Sequence, residues 1–236
     1  METLTKTHTN CLRCPSAAFT LVELLVVIAI IGILAAILIP VVGKVRVAGY
    51  KAESTSNLRS LHSSMMLFAQ DNNNLLPFAF TIRKDGQGRT MGSWMNQLYR
   101  DGYIETDAET MPEARIFGCP QQRAQFPRED DHRTYGMNQR IGGYPASNPS
   151  VGARTVLQAE SPPKTALLMN GVWNGASYSA SADEASYITN VTPSFGDSVL
   201  ILYLDGHVSL TEVISIPTDL SQRDGLEFWR GGVPLD

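Results

Sequence analysis

Histidine and cysteine are scarce, four and three among 236 residues. No G-x-S-x-G elbow and no phosphate-binding glycine loop occurs. No nucleophilic or nucleotide constellation can therefore be defended, and no enzyme activity and no cofactor are expected. There is no basic excess. The formal net charge is −4, which gives no reason to expect a nucleic acid partner. No internal repeats are present. The cysteines build no framework. Cys11 and Cys14 form one C-x-x-C in "NCLRCPSAA", without the second pair of a zinc site or the strand–helix context of a redox motif. Cys119, alone in "IFGCPQQR", reads as a buried, inert thiol.

The most informative absence is charge. No residue from Leu24 to Gly43 carries one. Twenty residues of helix rise roughly 30 Å, the thickness of a bilayer's hydrocarbon core. In lipid the backbone must satisfy its own polar groups, so the segment is expected to be helical in spite of its many Ile and Val residues. A secretory signal has a shorter apolar core followed by a cleavage site. This run is longer and passes without a turn signal into a second helical pattern.

In that pattern Val41, Val45, Ala48, Ala52, Thr55, Leu58, Leu61, Met65 and Phe68 recur at spacings of three and four. Lys44, Lys51, Ser54 and Asn57 fall largely off the stripe. The spacing predicts an amphipathic helix with one face ready to pack on a domain. "DNNN" at 71–74, followed by Pro77, predicts its end. One helix is thus expected from about Phe19 to Asp71. Pro40 sits at the junction, removes one backbone donor and is expected to bend it. One acid, Glu23, stands at the lipid-soluble end, where an ionisable group is expensive and usually marks function; the alternative is a carboxylate simply hydrated near the membrane surface.

"FTLVELLVVIAIIGILAAILIP" closely resembles the N-terminal segment of type IV pilins and of the pseudopilins of type II secretion systems. The resemblance implies a leader, 1–18, cut by a membrane prepilin peptidase between Ala18 and Phe19, with methylation of the new terminal Phe19. Glu23 then falls at the family's fifth mature position and Pro40 at its twenty-second. The family usually has Gly before the cut, where this chain has the next smallest residue, Ala18. The resemblance further implies that Glu23 pairs with the terminal amine of a neighbouring subunit as a filament grows. It implies as partners the prepilin peptidase and methyltransferase, homologous pilin-like subunits, an inner-membrane assembly platform and membrane lipid. The place implied is the bacterial inner membrane, crossed once, with the C-terminal domain extracytoplasmic. A plain positive-inside count opposes this orientation. Lys6 and Arg13 against Glu2 are outnumbered by Lys44, Arg46, Lys51 and Arg59 on the far side.

The expected organisation is therefore a leader, 1–18; a transmembrane and assembly segment, 19–40; its amphipathic continuation, 41–74; and an α+β domain with a small antiparallel sheet and long loops, 75–236. "MGSWMNQLYRDGYI", 91–104, predicts a short helix with Trp94 and Leu98 on one side, closed by Asp101-Gly102. "KTALLMN", 164–170, predicts a strand behind Ser161-Pro162-Pro163. "SVLILYLDGHVSLTEV", 198–213, predicts a hairpin with a two-residue type I′ turn at Asp205-Gly206. The Ser-, Ala- and Asn-rich stretch 173–194, with Asp183 and Glu184, predicts a long surface loop. "FGCPQQ", "TYGMN", "SPPKTALLMN" and "LYLDGHV" partly resemble a pilin-like group marked by His, nine residues, then Asp-Gly. Phe195 stands here at the His place.

Asp197, Asp205 and His207 are weak candidates for a cation site near the hairpin, though Asp-Gly is also what the turn itself needs. Two functions remain open beside the last-ranked anchored enzyme. The first is a pseudopilus or pilus subunit. The second is a membrane-anchored module binding polysaccharide, DNA or a secreted substrate, supported by Trp173, Tyr178 and Tyr187.

Overall fold

The computed structural model describes residues 20–84, 90–106, 108–110, 113–125, 134–142, 156–171, 179–180 and 193–232. Two compact units divide the chain after Val45. Helix α1, Leu21–Asp71, begins in the first and ends in the second. It runs without interruption through Pro40.

The first unit is the apolar part of α1. Its large side chains are exposed: Leu24, Ile28, Ile31, Leu34 and Leu38 are each more than half open. It belongs to the one described helix long and apolar enough to cross a membrane. In water such a surface would be unstable, since an apolar area of this size belongs against lipid or protein.

The second unit is α+β. Strands β1 (Phe80–Lys84) and β2 (Thr90–Ser93) form an antiparallel pair. Helix α2 (Trp94–Arg100) follows at once, so Met91–Ser93 is strand where the sequence suggested the start of a helix. After α3 (Pro120–Gln125) come β3 (Tyr135–Asn138) and α4 (Gln139–Gly142). Strands β4 (Ala166–Asn170), β5 (Ser179–Ala180), β6 (Ser198–Tyr203) and β7 (Val208–Glu212) complete a sheet ordered β5-β3-β4-β6-β7. All its pairs are antiparallel except β3 with β5. Ser179–Ala180 thus places an edge strand within the stretch predicted as loop. Helix α5 (Arg223–Arg230) closes the chain's described part.

The sheet is covered on both faces. Along β6, Leu200 and Leu202 join the cluster containing Leu58, Leu61, Met65 and Phe68 of α1. Val199 and Ile201 join Phe228 and Trp229 of α5. The period-two alternation of the strand therefore feeds two helices. Each fully buried Leu or Phe contributes about 1.5–3 kcal/mol against exposure.

The amphipathic stripe is buried only in its second half. Leu58, Leu61, Met65 and Phe68 are buried, with Ser54 and Ala69. Val41, Val45, Ala48 and Ala52 are exposed, and Thr55 is half-buried. Ser54, placed off the stripe by its polarity, is buried because its hydroxyl finds a partner in Cys119, at 3.2 Å.

Helix α1 stops where expected. Asn73 and Asn74 take positive φ of 55° and 60°. The Asn74 N–H then returns to the Ala69 carbonyl at 2.7 Å. Asn tolerates this left-handed backbone better than most residues.

Candidate functional site

The site begins at the first turn of α1. Thr20 precedes the helix and Glu23 is its third residue. The Glu23 N–H donates to Thr20 Oγ1 at 3.2 Å. Glu23 Oε2 accepts the Thr20 backbone N–H at 2.9 Å and the Thr20 hydroxyl at 2.8 Å. This is a reciprocal capping box, which satisfies donors that a helix start leaves open. In a lipid-facing helix those donors have no water to turn to. The T-x-x-E spacing before an apolar run was visible in the sequence, and Thr20 is the hydrogen-bonding neighbour of Glu23 that the sequence reading missed. Ala18 and Phe19 lie outside the described residues, as do Cys11 and Cys14.

The arrangement holds a carboxylate at the positive end of a helix. It aims Glu23 back at Thr20, which precedes the helix. A cation brought to that turn would meet an acid whose rotamer is already set.

A second cluster lies at the β6–β7 hairpin. Asp205 Oδ1 accepts the His207 backbone N–H at 3.1 Å and approaches His207 Nδ1 at 2.6 Å. The His207 ring stacks on Tyr203, centroids 4.3 Å apart and 4° from parallel. Partial burial pushes the Asp205 carboxyl up, but the backbone and ring hydrogen bonds from His207, with the ring's charge, together hold it below the ordinary aspartate range. Tyr203 and His207 line an open cleft of about 290 Å³ with Lys164 and Glu227.

Asp197 does not join this pair. It precedes β6, at the end of the hairpin where Ser198 faces Glu212, and strand rise separates it from the turn by about 20 Å. Among the described residues no group of three His, Cys, Asp or Glu side chains is placed to hold a metal ion.

The turn differs in type from the prediction. The Gly206 N–H bonds to the Tyr203 carbonyl and the Tyr203 N–H to the His207 carbonyl. Leu204, Asp205 and Gly206 therefore make a three-residue loop, with only Gly206 at positive φ, 92°. A type I′ turn needs two such residues. The loop is held by a residue no pattern singled out. His62 Nε2 of α1 donates to the Leu204 carbonyl at 3.0 Å. A side chain at Gly206 would come within 2.9 Å of that imidazole.

Buried residues of the first three short motifs serve the interior. Cys119 is fully buried, and its sulfur accepts from Ser54 Oγ and from Asn170 Nδ2 at 3.4 Å. Asn170 Oδ1 accepts the Leu200 N–H at 2.6 Å. Burial pushes the Tyr135 phenol far up, Cys119 adding to the effect. Asn138 ties the Ala166 and Trp229 carbonyls together, at 2.7 and 3.0 Å. Phe195, at the His place of the pilin-like group, bridges to Ser198 before β6. Trp173, Tyr178, Asp183, Glu184 and Tyr187 lie outside the described residues.

Among the described residues, one helix is long and apolar enough to cross a membrane, and it carries one acid, Glu23, in its first turn. The prokaryotic N-terminal methylation motif matches residues 13–39. The type IV major pilin protein PilA of Myxococcus xanthus (strain DK1622) is 41% identical over 64 residues, 27% of this chain and 29% of that pilin. The chain therefore spans less than a third of the length of this curated relative. No solved structure matches it. These similarities are to a methylation motif confined to the N-terminal segment and to one type IV pilin.

Proposed function

We propose that the chain is a pilin-like subunit. A prepilin peptidase cuts it between Ala18 and Phe19 and the new Phe19 amine is methylated. The product waits in the bacterial inner membrane, crossing once, with residues 75–236 extracytoplasmic. An assembly platform then draws it into a type II secretion pseudopilus or a type IV pilus-like filament with other pilin-like subunits. It acts as a structural subunit rather than an enzyme.

The observation that carries this reading is Glu23, fixed by Thr20 at the head of an exposed, membrane-length helix. After cleavage the Phe19 amine of an incoming subunit is a cation at the same depth as the Glu23 carboxylate of its neighbour. Pairing offsets the desolvation of both and fixes the axial stagger. Pro40, with no N–H to give the preceding turn, lets the helix bend as subunits pack.

The mass of the intact chain purified from native membranes tests the processing step. The expected species is Phe19–Asp236 with one added methyl group. A chain retaining Met1, or one starting near Val41, would overturn the reading.

A further inference from the structure

The upper half of the predicted stripe is exposed, and its sequence explains what covers it. "VVGKVRVAGYK", 41–51, interleaves apolar and basic residues. Val41, Val42, Val45 and Val47 are between 41% and 65% exposed. Lys44, Arg46 and Lys51 are exposed, and Tyr50 is half-buried. Glu53 is the sole acid between Leu24 and Gln70. It is engaged elsewhere, by Arg123 Nη2 at 3.5 Å. Among the described residues no carboxylate pairs with Lys44, Arg46 or Lys51.

We propose that residues 41–51 form the membrane-interface segment of this chain, and that Lys44, Arg46 and Lys51 bind the anionic headgroups of phospholipids there. The proposal rests on the reading of Leu24–Gly43 as the membrane span. A bilayer's headgroup layer is about 5–7 Å thick on each side of the hydrocarbon. Lys44 and Arg46 follow Gly43 by one and three residues, within about 5 Å of helical rise. Lys51 follows at about 12 Å, and side chains on a helix lean toward its N-terminus, which here means back toward the lipid. Long basic side chains lay their stems on apolar surface and keep their charge at the interface. Tyrosine is enriched at the same level. Arg59, about 24 Å beyond Gly43, is out of reach. These are also the cations that oppose the positive-inside count. Headgroup binding gives them a role on whichever side they emerge.

The test uses the full chain in phosphatidylcholine vesicles with a trace of spin-labelled phosphatidylglycerol or spin-labelled phosphatidylcholine. The motionally restricted fraction of each label is measured. Phosphatidylglycerol is expected to be favoured about fivefold or more, because each basic residue near an anionic surface is worth about that factor. The preference falls as salt rises to screening concentrations. It disappears in the triple variant K44Q/R46Q/K51Q and persists in Arg59→Gln. Equal restriction of the two labels by chain that resists alkaline extraction overturns the proposal alone. Preference that survives in the triple variant, or that is lost with Arg59→Gln, also overturns it. Chain stripped from the vesicles by alkali overturns the span and the proposal together.

Discussion

Helix α1 contains two stretches of equal regularity and opposite fate. From Leu21 to Val47 its apolar side chains are exposed; from Ser54 to Asp71 one face is fully buried. The second stretch finds its cover within the chain, against Trp94, Phe117, Met137 and Leu200. Among the described residues the first finds none, and its apolar surface belongs against lipid or protein. The difference is one of composition. An all-round apolar surface cannot be covered by one small sheet, whereas a single stripe can.

The sharpest way to break this comparison is to cut the same volume from each stretch. Leu61→Ala removes a fully buried side chain and is expected to cost the domain about 2–5 kcal/mol. Ile31→Ala, at an exposed position, is expected to leave domain unfolding within about 0.5 kcal/mol of the parent. Denaturant unfolding of the full chain in detergent, followed by tryptophan fluorescence, reads both. Equal losses would mean that the two stretches share one core.

A smaller effect is expected where α1 meets the hairpin. Gly206→Ala puts a methyl group at positive φ and against His62. Strain of this kind costs about 1–3 kcal/mol, measured by the same unfolding. Measured against His62→Ala alone, which also loses the bond to the Leu204 carbonyl, the glycine substitution should cost less because the close contact is gone. An equal cost in both backgrounds would show that backbone strain alone sets it.

The smallest effect concerns α5, on the sheet face away from α1. Hydrogen bonds from Lys164 at 2.7 Å and Arg223 at 2.8 Å hold the Glu227 carboxyl below the ordinary glutamate range. An acid depressed in the folded state lends stability above its unfolded value, about 4.3, and loses it as pH falls through the folded value. Glu227→Gln should therefore lower the melting temperature at pH 7 and flatten its decline between about pH 5 and 3. An unchanged acid limb would deny Glu227 any part in acid unfolding.

Legibility followed the same division. The i, i+3, i+4 spacing of Leu58, Leu61, Met65 and Phe68 reported a real face. The spacing of Val41, Val45, Ala48 and Ala52 looked identical, because periodicity shows that a face exists and says nothing of what covers it. The hairpin was placed correctly by Asp205-Gly206. Its turn was mistyped because Leu204, an apolar residue, belongs to the loop, where His62 meets its carbonyl. Helix α5 was missed because "RDGLEFWR" has a Gly within it and strong charge around it. Its stability comes from Phe228 and Trp229 against the sheet, and tertiary burial overrides propensity. At the candidate site Glu23 stood out by its charge in an apolar run. Thr20 did not, since a threonine beside such a run looks ordinary until its hydroxyl is seen on the carboxylate.

The central proposal is that the chain leaves lipid for a filament in which neighbouring copies are joined through Glu23. Glu23→Gln keeps shape and removes the charge, and membrane insertion should survive because the helix becomes more lipid-soluble. Two unit charges at contact attract by about 4 kcal/mol at an effective dielectric near 20. The measurement is the yield of filaments sheared from cells at matched levels of membrane protein. The account predicts a drop of at least about tenfold for the variant, since even a third of that attraction is worth a factor of ten. A variant that polymerises as well as the parent would contradict it and leave Glu23 as the cap of a helix and nothing more.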